Sequence, residues 1–384
     1  MKIKEARIYS INIPFTREIT HGMATRSACD SFIIEVESDA GMGYGEALVR
    51  EYVTGSLGET ESNPNRLAAA AGILKRLISP LAGKHLAWPE LRLWLESVAV
   101  EHHELPLLCG LEGALLDCAC RAEKTDIYGL IGTAPAMSEV IYGGTLPILP
   151  LEASKKFIGF FKSCRLPNIR VKLGRKTVYA DAILALVRGA FGDGFDIRVD
   201  ANASWTLEDA WEMLPLLRKY GVSMIEEPFG RGREENLQFV RDHAKEGFTL
   251  AADESAITPE DVHDIAAQGT FRLINIRLAK NGGVLRALGM RDAAREEGLA
   301  IHAGCHVGET GILSAEGRAA ASLMPDALYV DGSYDAYLLA GNITRESYTF
   351  GNEGKAPILT GRRLGYDVEK AKLQEYANGQ RDCL

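Results

Sequence analysis

Short strand-like runs recur at nearly even intervals through the second half of this chain, and three of them end on an acid. Asp200 closes Phe195–Val199, Glu226 closes Val222–Ile225 and Asp253 closes Thr249–Ala252. The three acids stand 26 and 27 residues apart, close to the roughly 30 residues of one strand–helix unit in a (β/α)-barrel. Even spacing of this kind places them on neighbouring strands, at the rim where such barrels carry their chemistry. Three carboxylates gathered there repel one another unless a hard divalent cation lies between them. The pattern points to a Mg²⁺ site.

The wider pattern agrees. Apolar runs occur at Val140–Gly143, Ile169–Lys172, Ile197–Asp200, Met224–Glu226, Leu250–Asp253, Leu273–Arg277, Ala300–His302 and Leu328–Asp331, most of them separated by one helical stretch. Eight parallel strands fit a closed barrel better than an open sheet. The start of the chain reads differently. Lys2–Ile13 and Ser31–Glu37 alternate as strands do, and Asp39–Gly43 supplies turn residues for a hairpin. Helical periodicity follows at Asn65–Ile78, Pro89–Val98 and Leu107–Ala122, which together with the strands reads as an α+β domain. The expected division is residues 1–138 as an α+β unit, 139–340 as the barrel, and 341–384 packing back on the first unit.

Bulk properties narrow the function. An apolar fraction of 46% and the lack of an apolar run near 20 residues argue for a globular chain without a membrane span. The N-terminus runs straight into alternating residues, with no secretory pattern. A net charge of −9 argues against a nucleic-acid or anionic-membrane binder. Seven cysteines without a CxxC pair or zinc spacing read as reduced thiols in a cytoplasmic protein.

Two of the acids are not helix caps. Thr206 before Leu207-Glu208-Asp209, and Thr258 before Pro259-Glu260-Asp261, already fill those positions several residues after Asp200 and Asp253. Cations flank the acid series in strand order: Arg170 and Lys172 on the preceding run, Arg277 and Lys280 on or just past the following one. Residues two apart in a strand share a face, so Arg170 and Lys172 both project inward. A lysine beside a dication and a second cation loses its proton more readily, as a general base requires.

Arg170-Val171-Lys172, Asp200-Ala201-Asn202, Ile225-Glu226-Glu227-Pro228, Ala252-Asp253-Glu254-Ser255 and Asn275…Lys280-Asn281-Gly282-Gly283 together resemble the enolase superfamily, in its muconate-lactonizing subgroup related to mandelate racemase. Gly43-Tyr44-Gly45-Glu46-Ala47 is similar to the family's capping-domain segment. The resemblance implies a modified (β/α)7β barrel under an α+β capping domain, in a homo-oligomer. It also implies Mg²⁺, or Mn²⁺ as a substitute, on Asp200, Glu226 and Asp253. The implied chemistry is removal of the proton α to the carboxylate of a small organic acid, with Lys172 as base. Such a reaction builds up a second negative charge, which a Lewis acid and nearby cations stabilise.

The chain departs from that pattern at two positions. Arg170 replaces the first lysine of the usual pair, and Arg277 stands where the subgroup has a lysine on the opposite side. Arginine holds its proton too tightly to be an easy base. With Lys172 as the single clear amine base, cycloisomerisation or β-elimination is the leading expectation. The alternative is a racemase or epimerase of an amino-acid or dipeptide-like carboxylate, with Arg277, Lys280 or His306 opposite Lys172. A third reading is a lapsed carboxylate-binding protein. A metal hydrolase is disfavoured, since only His302 and His306 fall near the rim. Glu309 and Asp331 occupy late-strand positions suited to orienting substrate, and Asn202 and Glu254 adjoin the metal series. Arg26, Arg50 and Tyr52, in expected covering loops near 20–26 and 49–56, are candidates to hold the distal end of a substrate.

Overall fold

A computed structural model describes residues 1–20, 25–57, 65–231, 239 and 247–384. Its first unit is an antiparallel sheet of β1 (Ile3–Ile11), β4 (Phe32–Ser38) and β5 (Gly41–Ala47), with the C-terminal β16 (Ala377–Asp382) added beside β1. The expected hairpin forms at Asp39-Ala40, where Ser38 pairs with Gly41 and Gly41 takes φ 123°. A separate hairpin, β2 (Ile13–Thr20) and β3 (Thr25–Cys29), reaches toward the second unit. The expected covering loop at 20–26 lies partly outside the described residues.

The helix Leu105–Glu123 is buried along almost its whole length, because it lies between the sheet and the barrel. Its closeness to β5 explains two glycines of the Gly43–Ala47 motif. A Cβ on Gly45 would come within 2.0 Å of the Gly110 carbonyl oxygen, and one on Gly43 within 2.1 Å of that of Ala114. Glu46 from the same motif ties the units together. Its carboxylate accepts from Ser31 Oγ at 2.6 Å, Thr310 Oγ1 at 2.7 Å and Thr310 N at 3.0 Å.

The second unit is an all-parallel curled sheet of β7 (Gly144–Leu146), β8 (Asn168–Lys172), β9 (Asp196–Asp200), β10 (Val222–Glu226), β11 (Thr249–Ala252), β12 (Leu273–Ile276), β13 (Ala300–Ala303) and β14 (Ala327–Val330). Across the remaining seam, Gly143 N donates to Val330 O at 2.8 Å. Helices Leu151–Ser163, Thr177–Phe191, Leu207–Lys219, Pro259–Gln268, Val284–Glu296 and Gly311–Ser322 follow β7, β8, β9, β11, β12 and β13, and most of the segment between β10 and β11 lies outside the described residues. Among the described residues this is the expected TIM-like arrangement of parallel strands and flanking helices.

The first strand differs from expectation. Val140–Gly143 is not in the barrel. Instead β6 (Glu139–Ile141) pairs antiparallel with β15 (Lys355–Pro357), and the barrel begins at Gly144. The chain enters the barrel where a side chain has no room, since a Cβ on Gly143 would stand 2.2 Å from Asn168 Oδ1. Thr206 and Thr258 form the expected capping boxes with Asp209 and Asp261. Among the described residues no helix is long and apolar enough to cross a membrane.

Glu112 lies fully buried at the junction of the two units, where it accepts from Leu285 N at 3.0 Å and leaves its second oxygen without a partner. Burial pushes its carboxyl up to about 8. An unfolded glutamate titrates near 4.3, so the folded chain keeps a proton that the unfolded chain has lost. The contribution of Glu112 to stability therefore falls as pH rises from about 4.3 to about 8, and levels off above that. Glu112→Gln is expected to leave Tm unchanged at pH 5 and to gain about 1–3 kcal/mol at pH 9. Thermal melts across that range check it; equal effects at both pH values would count against a neutral buried carboxyl.

Candidate active site

Strand alternation builds the site in layers. At the bottom of the barrel, Met224, Ala251, Leu273 and Tyr329 form a small apolar plug. Two residues further along the strands, the inward positions of β10, β11, β12 and β14 become Glu226, Asp253, Asn275 and Asp331. Asp200 ends β9 and Lys172 ends β8, so the acids and the lysine reach one rim from consecutive strands. Backbone strain accompanies the turn away from that rim. Asn202, Ala203 and Glu227 have φ of 46°, 56° and 35°, a region that non-glycine residues seldom adopt.

Guanidinium groups bridge the three carboxylates. Arg170 donates from one nitrogen to Glu226 Oε1 at 2.6 Å and Asp200 Oδ2 at 3.1 Å. Arg277 reaches Glu226 Oε1 at 3.1 Å and also pairs with Asp253. Burial alone would raise the Glu226 carboxyl, but the Arg170 and Arg277 guanidiniums outweigh it and hold the group far below its usual range. Asp331 behaves likewise under Arg198 and Arg170, with Arg198 at 2.8 Å and the Arg170 Nε at 2.8 Å. His302, packed 3.0 Å from Asp331, is kept neutral by burial.

As placed, no group of three His, Cys, Asp or Glu side chains among the described residues is set to hold a metal ion. The donor chemistry nevertheless suits one. Asp200, Glu226 and Asp253 are wholly buried hard oxygen donors, and Glu226 Oε2 has no hydrogen-bond partner. Glu254 is a buried neighbour whose carboxyl is pushed well up by burial and by Asp253.

Lys172 is fixed by two acceptors, Asn202 Oδ1 at 2.9 Å and Asp200 Oδ2 at 3.0 Å. Asn202 in turn donates its backbone N–H to Asp200 at 2.8 Å. Beyond Lys172 opens a cavity which Arg170, Lys172, Arg277, His306 and Glu309 line together with Tyr52. β8 and β12 lie four strands apart in the eight-stranded order, so Lys172 and Arg277 face each other across the barrel mouth. His306 lies just beyond the end of β13. Burial and the nearby Arg277 and Arg50 hold its imidazole neutral, well below its ordinary range.

Other candidates point elsewhere. Lys280 is not among the residues lining this cavity. Its ammonium is buried beneath the rim and shared among Asn275 O at 2.6 Å, Asp253 O at 2.7 Å and Asp253 Oδ1 at 3.1 Å. Arg50 is 1% exposed and bonds Val307 O at 2.7 Å and Asp30 at 2.8 Å, tying loop to barrel. Arg26 pairs with the same Asp30 at 3.3 Å. Glu309 accepts from His306 N at 2.7 Å, and burial pushes its carboxyl up to about 8.

Arg198 and Glu227 had no role in the sequence reading, and His302 entered it only as a histidine near the rim. Arg198 sits two residues before the end of β9, where period-two alternation was the available signal. Glu227 accepts from Asp253 N at 2.6 Å and from Ser255, and so fixes the backbone that carries Asp253.

A parallel barrel whose rim gathers carboxylates and a lysine under a capping domain defines an enzyme of the proton-abstracting barrel class. The chain belongs to the Enolase C-terminal domain-like family, which residues 163–369 match, and so to the enolase superfamily. It is 26% identical to a hydrophobic dipeptide epimerase of Enterococcus faecalis, over 84% of this chain and 88% of that one. It is 24% identical to a chloromuconate cycloisomerase of Cupriavidus pinatubonensis, over 98% and 99% of the two chains. A dipeptide epimerase of Cytophaga hutchinsonii, complexed with Mg and D-Ala-L-Val, shares the fold at a TM-score of 0.85 and 19% identity, covering 100% of both chains. These relatives are isomerases. Their balance favours epimerisation over the leading expectation of cycloisomerisation or β-elimination.

Proposed function

We propose that this chain is a Mg²⁺-dependent racemase or epimerase of an amino-acid-derived carboxylate, with Lys172 and His306 exchanging the α-proton on opposite faces. The observation that carries this reading is that both side chains line one cavity, from well-separated strand ends. Asp200, Glu226 and Asp253 would hold the metal, which when bound stabilises charge developing on the substrate carboxylate.

The remaining work falls to this chain's own groups. Lys172 Nζ, steered by Asp200 and Asn202, takes the α-proton on one face. On the other face His306 takes the α-proton as the neutral imidazole and returns one as the imidazolium, so each direction starts with one partner protonated and the other free. Arg277 keeps its proton. Burial works against its charge, but Asp253 and Glu226 outweigh that and raise its pKa. It therefore acts as a fixed cation near the substrate carboxylate. Lys280 positions Asp253 and Asn275 from below.

The test is proton NMR in D₂O with Mg²⁺ and N-acyl amino acids, dipeptides, muconates and sugar acids. The α-proton signal of one amino-acid-derived acid is expected to vanish while its optical rotation decays to that of the racemate or epimer mixture. A new lactone, vinylic or keto-acid signal would sink the reading in favour of cycloisomerisation or elimination.

A further inference from the structure

The cavity above Lys172 has a polarity that runs in one direction. Its floor carries Lys172, Arg170 and Arg277, its wall is the aromatic set Phe157, Phe160, Phe161 and Tyr337, and its lip carries Arg17. Phe160 and Tyr337 pack edge to face at 4.9 Å, which makes the wall a continuous apolar surface. Arg17 is an exposed residue of β2 whose guanidinium lies 4.8 Å over the Phe157 ring. That contact holds the cation against the aromatic wall of the cavity that both residues line. Among the described residues no ion pair reaches Arg17.

Acidic groups are missing from the same walls in usable form. Glu309 is the one carboxyl among the described lining residues, and it is turned to the His306 N–H. Asp331, lower in the barrel, is enclosed by Arg198, Arg170 and His302. A free ammonium at the far end of a substrate would meet Arg17 and find no anion. A second anionic group there would pair with the guanidinium, with an apolar section spanning the aromatic wall.

We propose that Arg17 is a specificity-determining residue that receives a second anionic group, so that the substrate is a hydrophobic amino acid whose nitrogen carries a neutral acyl link ending in a carboxylate. This rests on the racemase or epimerase reading above. It separates the chain from enzymes that take free dipeptides, whose terminal nitrogen is charged.

The experiment uses the Mg²⁺-loaded full chain with N-succinyl-L-phenylalanine, N-acetyl-L-phenylalanine and L-Ala-L-Phe, and the variants Arg17→Met and Arg17→Glu. The unmodified enzyme is expected to prefer the succinyl compound over the acetyl one by about 10-fold in kcat/KM, carried by KM. Arg17→Met should bring that ratio close to unity, and Arg17→Glu should invert it and favour the dipeptide. A preference for L-Ala-L-Phe in the unmodified enzyme, or a ratio untouched by Arg17→Met, overturns the proposal. Calorimetric Kd values for the three compounds are read in parallel. Absence of α-proton exchange from all three strikes the catalytic reading, whereas succinyl binding unaffected by Arg17→Met strikes the role of Arg17.

Discussion

Lys172→Ala is expected to lower exchange of the enantiomer whose α-proton faces Lys172 by about 10²–10⁴-fold while leaving the fold and the carboxylate cluster in place. Lys172 is the one amine on the cavity floor, and its two bonds to Asp200 and Asn202 aim it without burying it away from the opening. Its loss does not strand Asp200, which still accepts from Arg170 at 3.1 Å and from the Asn202 backbone at 2.8 Å. The drop in rate should therefore come without a comparable drop in Tm. Lys172→Arg is the informative companion. It restores the charge but not a base that yields its proton, so exchange should stay low. Wash-out of the α-proton signal in D₂O, with circular dichroism as the check on folding, measures both. Exchange of that same enantiomer within about 10-fold of the unmodified rate in Lys172→Ala would move the base elsewhere.

The acid series was readable in the sequence because each member ends a short strand, and strand ends in a parallel barrel converge on one rim. Asp200, Glu226, Asp253 and Lys172 needed only that rule and the two-residue alternation. The first barrel strand was misread because Val140–Gly143 and Gly144–Leu146 are adjacent short runs. Which one joins the barrel is decided by distant pairing, since Glu139–Ile141 is taken up by Lys355–Pro357 and Gly144–Leu146 by β8. Lys280 illustrates a second limit. The short helical turn Leu278–Asn281 carries its side chain under the rim instead of over it. Arg50 looked like an exposed loop cation, yet it is buried against Val307, more than half the chain away. Arg17 gave no local signal at all, because its meaning comes from Phe157 on a different unit. Rim chemistry is local in sequence, whereas the walls that choose a substrate are assembled from distant segments.

His306→Asn should separate two events that occur together in the unmodified enzyme. If Lys172 serves one face and His306 the other, the variant still admits deuterium into the enantiomer whose α-proton faces Lys172. Inversion, which needs both faces, should fall by about 10²–10⁴-fold. Lys172→Ala should show the mirror image, with residual exchange confined to the opposite enantiomer. The obvious rival for the second face is Arg277, which lines the same cavity. Its removal is a poorer probe, because Arg277 compensates both Glu226 and Asp253, and breaking such buried pairs costs about 3–5 kcal/mol. His306 has no such duty. Its imidazole is neutral and faces the opening, and its backbone N–H, which Asn retains, is what holds Glu309. An asparagine of similar reach therefore removes the proton carrier and little else. Chiral chromatography of product alongside NMR deuterium content reads the two events separately. Inversion that keeps pace with exchange in His306→Asn would assign the second face to Arg277 and make this an arginine-assisted proton transfer.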